Sequence, residues 1–152
     1  MHSIIFKNDA VGDLVHSLEA IDNIVSTNEN VTIFLSKISQ NFSFLVKKPN
    51  VNIKILNYNL SLIEKLNLIF FLFKNNVSKV YILSPKNFYY FLPLIFKRTK
   101  FYAICIDNIK NYKRPSEFLR RFLYKYVIND RAKIFKRESS RLIQKKLTLE
   151  ND

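Results

Sequence analysis

Between Lys7 and Ser17 the chain reads Lys-Asn-Asp-Ala-Val-Gly-Asp-Leu-Val-His-Ser, so that two carboxylates, Asp9 and Asp13, flank its sole glycine, Gly12. A carboxylate fixed beside an open crevice can take a proton from a hydroxyl, which is the work of a general base. A glycine removes the Cβ that keeps a ligand or a neighbouring loop away from the main chain, and it tolerates positive φ. Asp13 also stands where a helix is expected to begin, and there a carboxylate caps free N–H groups and is favoured by the helix dipole. Cap and base both remain open for Asp13, and it can serve as both only if the cap leaves one oxygen free.

Other chemistries find little support. With one glycine, neither G-x-G-x-x-G nor G-x-x-x-x-G-K-[ST] can be written, which excludes nucleotide binding by a glycine-rich loop. His2 and His16 are the only histidines and no matching cluster accompanies Asp9 and Asp13, so no metal site and no cofactor is expected. Cys105 lies in the apolar run Phe101-Tyr102-Ala103-Ile104-Cys105-Ile106 without a second cysteine, and reads as a buried core thiol in a reducing, cytoplasmic protein. The start Ser3-Ile4-Ile5-Phe6-Lys7 is too quickly interrupted by charge for a secretory signal. The most apolar stretch, residues 66–73, is bounded by Lys65 and Lys74 and is less than half of the roughly 20 residues a membrane span needs, so no transmembrane helix is expected.

The elements that must position these residues follow from hydrophobic period. Short β-branched runs at residues 3–7, 31–35, 51–56, 79–83 and 101–106 read as strands and alternate with helical patterns, the signature of βαβ units and a mainly parallel sheet. Leu14, Leu18, Ile21 and Val25 recur at helical spacing, as do Leu62, Leu66, Ile69, Phe70 and Phe73. Residues 39–46 and 87–96 read as shorter helices, the second interrupted by Pro93. Pro115 opens a helix with Phe118, Leu119, Phe122, Leu123, Tyr126 and Val127 on one face. A last helix starts at Asp130, with Phe135, Leu142, Ile143 and Leu147 as its stripe. At 152 residues and 48% hydrophobic content, the chain is expected to form one Rossmann-like three-layer α/β/α domain over residues 1–130, with a helical C-terminal extension over 131–152. The lone glycine then falls between the first strand and the first helix, at the carboxyl edge where such sheets bind ligands.

The run from Ile4 to Ser17, strand then Lys7, a short polar turn ending in Ala10-Val11-Gly12-Asp13, then an aliphatic helix with Ser17, resembles the opening of family 9 glycosyltransferases, which include the lipopolysaccharide heptosyltransferases. The resemblance covers residues 3–130, is specific in the first eighteen, and departs at Glu19, where the family usually carries proline. It implies a GT-B enzyme of two facing Rossmann-like domains. This chain would supply the acceptor-side half, and a nucleotide-sugar donor would bind through a second domain that nothing here matches. It assigns the catalytic base to Asp13 and acceptor contacts to Lys7, Asn8, Asp9, Gly12 and Ser17. The acceptor type it suggests is an anionic glycan or glycolipid such as Kdo-bearing lipid A.

Charge distribution adds to this. The net charge is +13, and residues 110–147 hold 13 Lys/Arg against 3 acids, whereas residues 1–109 hold 12 against 7. Lys113, Arg114 and Arg120, near the end of the fifth strand, are candidates for pairing with acceptor carboxylates or phosphates. A solvated basic face, or attraction to an anionic membrane surface that would make the protein peripheral, accounts for the same residues. Nucleic acid is disfavoured, because the aromatics that could serve as base platforms fall mostly on apolar faces at core spacing. Two functions therefore stand: the acceptor half of an inverting glycosyltransferase, and a non-enzymatic basic module that holds an anionic partner or membrane.

Overall fold

The computed structural model describes residues 1–103, 119, 121–128 and 134. Five strands, β1 (His2–Lys7), β2 (Asn30–Ser36), β3 (Val51–Leu56), β4 (Val77–Ile82) and β5 (Lys100–Ala103), form one sheet in the order β3-β2-β1-β4-β5. Every pairing is parallel. The chain walks outward from β1 to β3, then returns to the other side of β1 for β4 and β5, so the direction of winding reverses between β1 and β4. This is the Rossmann-like arrangement expected from the alternating pattern.

Period-two alternation along the strands feeds two cores. On one face Ile5, Val31, Ile33 and Leu35 meet α1 (Val11–Thr27) through Leu14, Ala20, Ile21, Ile24 and Val25. On the other, Ile4, Phe6, Phe34, Val80 and Ile82 meet α2 (Leu62–Lys74) and α3 (Asn87–Ile95) through Leu68, Leu72, Tyr89, Tyr90 and Leu92. Pro93 is accommodated inside α3. The helix expected over 39–46 is a 3-10 helix, Gln40–Leu45, with no buried residue, too weakly apolar on any one side to pack as an α-helix.

The expected core face of α2 is corrected. Leu62, Leu66, Phe70 and Phe73 point to solvent, Ile69 is half-buried, and Leu68 and Leu72 carry the buried contact. The helix start is set by a reciprocal cap: Ser61 Oγ accepts from Glu64 N–H at 3.2 Å, and Glu64 Oε1 accepts from Ser61 N–H at 3.3 Å. At its other end Asn76 takes φ 47°, supplying the left-handed turn for which glycine is the usual choice.

Beyond β5 the described residues return to the same sheet. Leu119 and residues 121–123 are helical and end in a 3-10 turn, Tyr124–Tyr126. Leu123 and Val127 are buried, whereas Leu119, Phe122 and Tyr126 are exposed, so the single apolar face expected there divides as the helix stops. Ile128 N–H donates to Phe101 O at 2.7 Å and Ala103 N–H to Ile128 O at 3.2 Å, a short parallel bridge beside β5. Ile134 is helical and fully buried in the α1 core, and its carbonyl accepts from the Asn23 amide at 3.1 Å. Phe118, Cys105, Asp130, Phe135 and the rest of the expected C-terminal stripe lie outside the described residues.

Candidate functional site

The carboxyl end of β1 enters α1 through Asn8, Asp9 and Ala10, and across the reversal point the end of β4 supplies Leu83 to Lys86. Leu83 and Ser84 N–H both donate to Phe6 O, at 3.1 and 3.0 Å, which locks the two loops together. Between them opens a cleft of about 320 Å³ lined by Lys7, Asp9, Asp13, Tyr58, Leu83, Ser84, Pro85 and Lys86. Ligands of open parallel sheets bind at such a switch point.

Its floor is an ion pair. Lys7 Nζ lies 3.0 Å from Asp9 Oδ2, and both side chains are largely buried. Lys7 Nζ also donates to Leu83 O at 3.0 Å, so one ammonium ties β1 to the β4 loop. The Asp9 carbonyl accepts from Ser36 Oγ at 2.6 Å and Ser39 Oγ at 3.1 Å, which pins the turn to the end of β2. Burying a charge is costly unless it is paired and hydrogen-bonded, so this pair fixes the geometry of the turn. Asp9 Oδ1 and Ser84 Oγ are buried without a hydrogen-bond partner among the described residues. Both residues line the cleft, so the hydrogen-bonding capacity that the fold leaves unused is concentrated at this wall.

Asp13 behaves differently from Asp9. The N-cap of α1 is Ala10, which makes no side-chain cap bond, and Asp13 sits in the first turn instead of at the cap. Its side chain is exposed, lines the cleft, and has no hydrogen bond or ion pair among the described residues. Of the two carboxylates, Asp13 alone is open to a hydroxyl arriving from solvent.

Gly12 lies beside it in the same turn, without positive φ, and a Cβ built on it would meet nothing within 4 Å among the described residues. Among the described residues the fold therefore makes no steric or conformational demand for a glycine here, and no neighbouring loop approaches it. Its remaining effect is to leave the helix start open to whatever approaches from outside.

Asn8 is fully buried and its amide is spent on the scaffold. Nδ2 donates to Asn57 O at 3.0 Å, and Oδ1 accepts from Tyr89 O–H at 2.7 Å. Burial pushes the Tyr89 phenol up, so it remains an O–H donor, and its ring stacks on Phe6 at 4.0 Å. Asn8 thus holds the site together and cannot touch an acceptor directly. Ser17 is half-buried one turn along α1 from Asp13 and is not part of the cleft lining. Lys113, Arg114 and Arg120 lie outside the described residues.

Five lining residues escape sequence reasoning, three of them, Tyr58, Ser84 and Lys86, with polar side chains. Tyr58 comes from the β3–α2 loop and Ser84 and Lys86 from the β4–α3 loop, and only the strand order brings them to β1. Lys86 Nζ sits 4.0 Å over the Tyr58 ring. Burial pulls its ammonium below the ordinary lysine range, with Asp9 opposing the shift. A partly desolvated cation loses less on meeting an anion than a fully hydrated one, so Lys86 suits the recognition of a carboxylate or phosphate. On its far side the surface continues into a second depression of about 430 Å³ that includes Lys65 and Asn87. Comparison of the chain with protein-family models, with curated proteins and with solved structures finds no match, so the resemblance of the first eighteen residues stands on those residues alone.

Proposed function

We propose that this chain is the acceptor-side domain of an inverting, family 9-like glycosyltransferase of the GT-B type, acting on an anionic glycan or glycolipid. The observation that carries the reading is the solvent-facing, uncommitted carboxylate of Asp13 at the switch-point cleft, beside a glycine the fold does not require. In the reaction Asp13 takes the proton of an acceptor hydroxyl as its oxygen attacks the anomeric carbon of a nucleotide-activated sugar. The new glycosidic bond forms as the bond to the nucleoside diphosphate breaks, with inversion at that carbon. Lys86 offers positive charge for the acceptor's anionic group, and the Lys7–Asp9 pair holds the turn in place. The donor binds on a second domain facing this cleft.

The test is sugar transfer to an anionic acceptor by the chain joined to its donor-binding half. Asp13→Asn keeps the size of the side chain and removes the base, so the rate should fall by about 10²–10⁴. Acceptor binding should change little. An Asp13→Asn enzyme that retained full turnover would remove Asp13 from the mechanism.

A further inference from the structure

The outer surface of α2 and α3 has the composition of a membrane-facing surface. Leu62, Ile63 and Phe70 are 73%, 71% and 69% exposed, and Leu66 and Phe73 are also exposed. At helical spacing these five residues form one stripe opposite the buried Leu68 and Leu72, and Lys65 and Lys74 border it on its two sides. Helix α3 packs on the same face of the sheet and adds exposed Phe91, Leu94 and Ile95. Where the two helices end, the Phe73 and Phe96 rings meet at 4.6 Å, and a depression of about 630 Å³ lined in part by Ile95, Lys97 and Arg98 continues the patch. Contiguous apolar surface on this scale marks an interaction site.

The charge around it selects the occupant. Lys54, whose ammonium lies over the Phe71 ring, Lys65, Lys74, Lys97 and Arg98 surround this face, and Glu64 is the one acid in residues 51–103. Helix α1, on the opposite side of the sheet, carries Asp13, Glu19 and Asp22 and no Lys or Arg. Glu64 is engaged by Ser61 and Asn57 at the start of α2. A second copy docked through this face would set lysines against lysines with no free acid to offset them. Protein interfaces are also depleted in lysine, whereas helices lying in a bilayer interface pair Leu and Phe on one side with Lys and Arg at the borders.

We infer that the α2–α3 face docks on an anionic lipid bilayer, with the Leu62–Leu66–Phe70–Phe73 stripe entering the acyl boundary and the surrounding lysines meeting lipid phosphates. Helices α2 and α3 both begin at the carboxyl edge of the sheet, so the docked face runs up to the rim that holds the cleft.

Co-sedimentation of the full chain with vesicles tests this. The wild type is expected to bind phosphatidylcholine vesicles containing phosphatidylglycerol, and to bind phosphatidylcholine alone much more weakly. The pair Leu66→Ser and Phe70→Ser leaves charge unchanged and touches only exposed side chains, so the thermal transition should stay in place while vesicle affinity falls about tenfold or more. Lys65→Glu with Lys74→Glu should weaken binding to the anionic vesicles alone. The inference is overturned if the wild type does not bind vesicles, or if the serine variant binds as well as the wild type. It is equally overturned if the lysine variant is unaffected, or if sedimentation velocity shows a dimer that the serine substitutions dissolve.

Discussion

At the scale of residues, the site separates groups that hold from groups that act. Lys7 and Asp9 hold: removing the ammonium leaves a largely buried carboxylate without its partner, so Lys7→Met should destabilise the fold by about 3–5 kcal/mol in urea unfolding. Gly12 has the opposite signature. Its backbone is ordinary helix and its absent Cβ would meet open space, so Gly12→Ala should leave stability unchanged or raise it by up to about 1 kcal/mol, while a bulkier Gly12→Leu should weaken acceptor binding. A glycine needed by the turn itself would instead show a loss of stability with alanine. The sequence made Gly12 and Asp13 legible, since a lone glycine before a carboxylate draws attention by itself. It could not show that the cap falls at Ala10, because cap positions depend on where φ and ψ change and several residues near a helix start can serve.

At the scale of elements, α2 shows why one helix can be found in a sequence and its orientation missed. Nine of its thirteen residues are apolar, so more than one face satisfies helical spacing, and Leu62-Leu66-Phe70-Phe73 is as regular as the buried set. Only packing against Ile4, Phe34 and Val80 decides. Its beginning is marked by Ser61-x-x-Glu64, a signal that hydrophobic spacing alone passes over. Burial alone would raise the Glu64 carboxyl, but the N–H and amide of Asn57 and the N–H and hydroxyl of Ser61 outweigh it and hold it below its ordinary range. A carboxylate depressed in the folded state stabilises above its unfolded pKa, about 4.3, and loses that contribution as pH falls through the folded value. Glu64→Gln should therefore lower stability at neutral pH, with the gap to wild type closing as the solution is acidified below about 4.3. A gap that stayed constant with pH would show that the charge of Glu64 plays no part.

At the scale of the whole molecule, the order β3-β2-β1-β4-β5 converts local signals into a site. Alternating period was enough to anticipate five strands, their parallel pairing and the carboxyl-edge location. Tyr58, Ser84 and Lys86 were not legible, because they lie some 45 to 75 residues from Asp13 and meet it only through the reversal between β1 and β4. The same topology puts the acid-bearing α1 on one side of the sheet and the apolar α2 and α3, with Lys65 and Lys74 on α2, on the other, with the cleft at the edge between them. No helix among the described residues is long and apolar enough to cross a membrane. On the proposed function, this cleft, and not the basic C-terminal quarter, receives the anionic acceptor. The most direct measurement is an NMR titration of the isotope-labelled chain with a Kdo oligosaccharide, following every backbone amide. The largest shifts are expected on Gly12, Asp13, Ser84 and Lys86, and they should disappear in the Gly12→Leu variant. Shifts confined to residues 110–147, with the cleft amides unmoved, would contradict it.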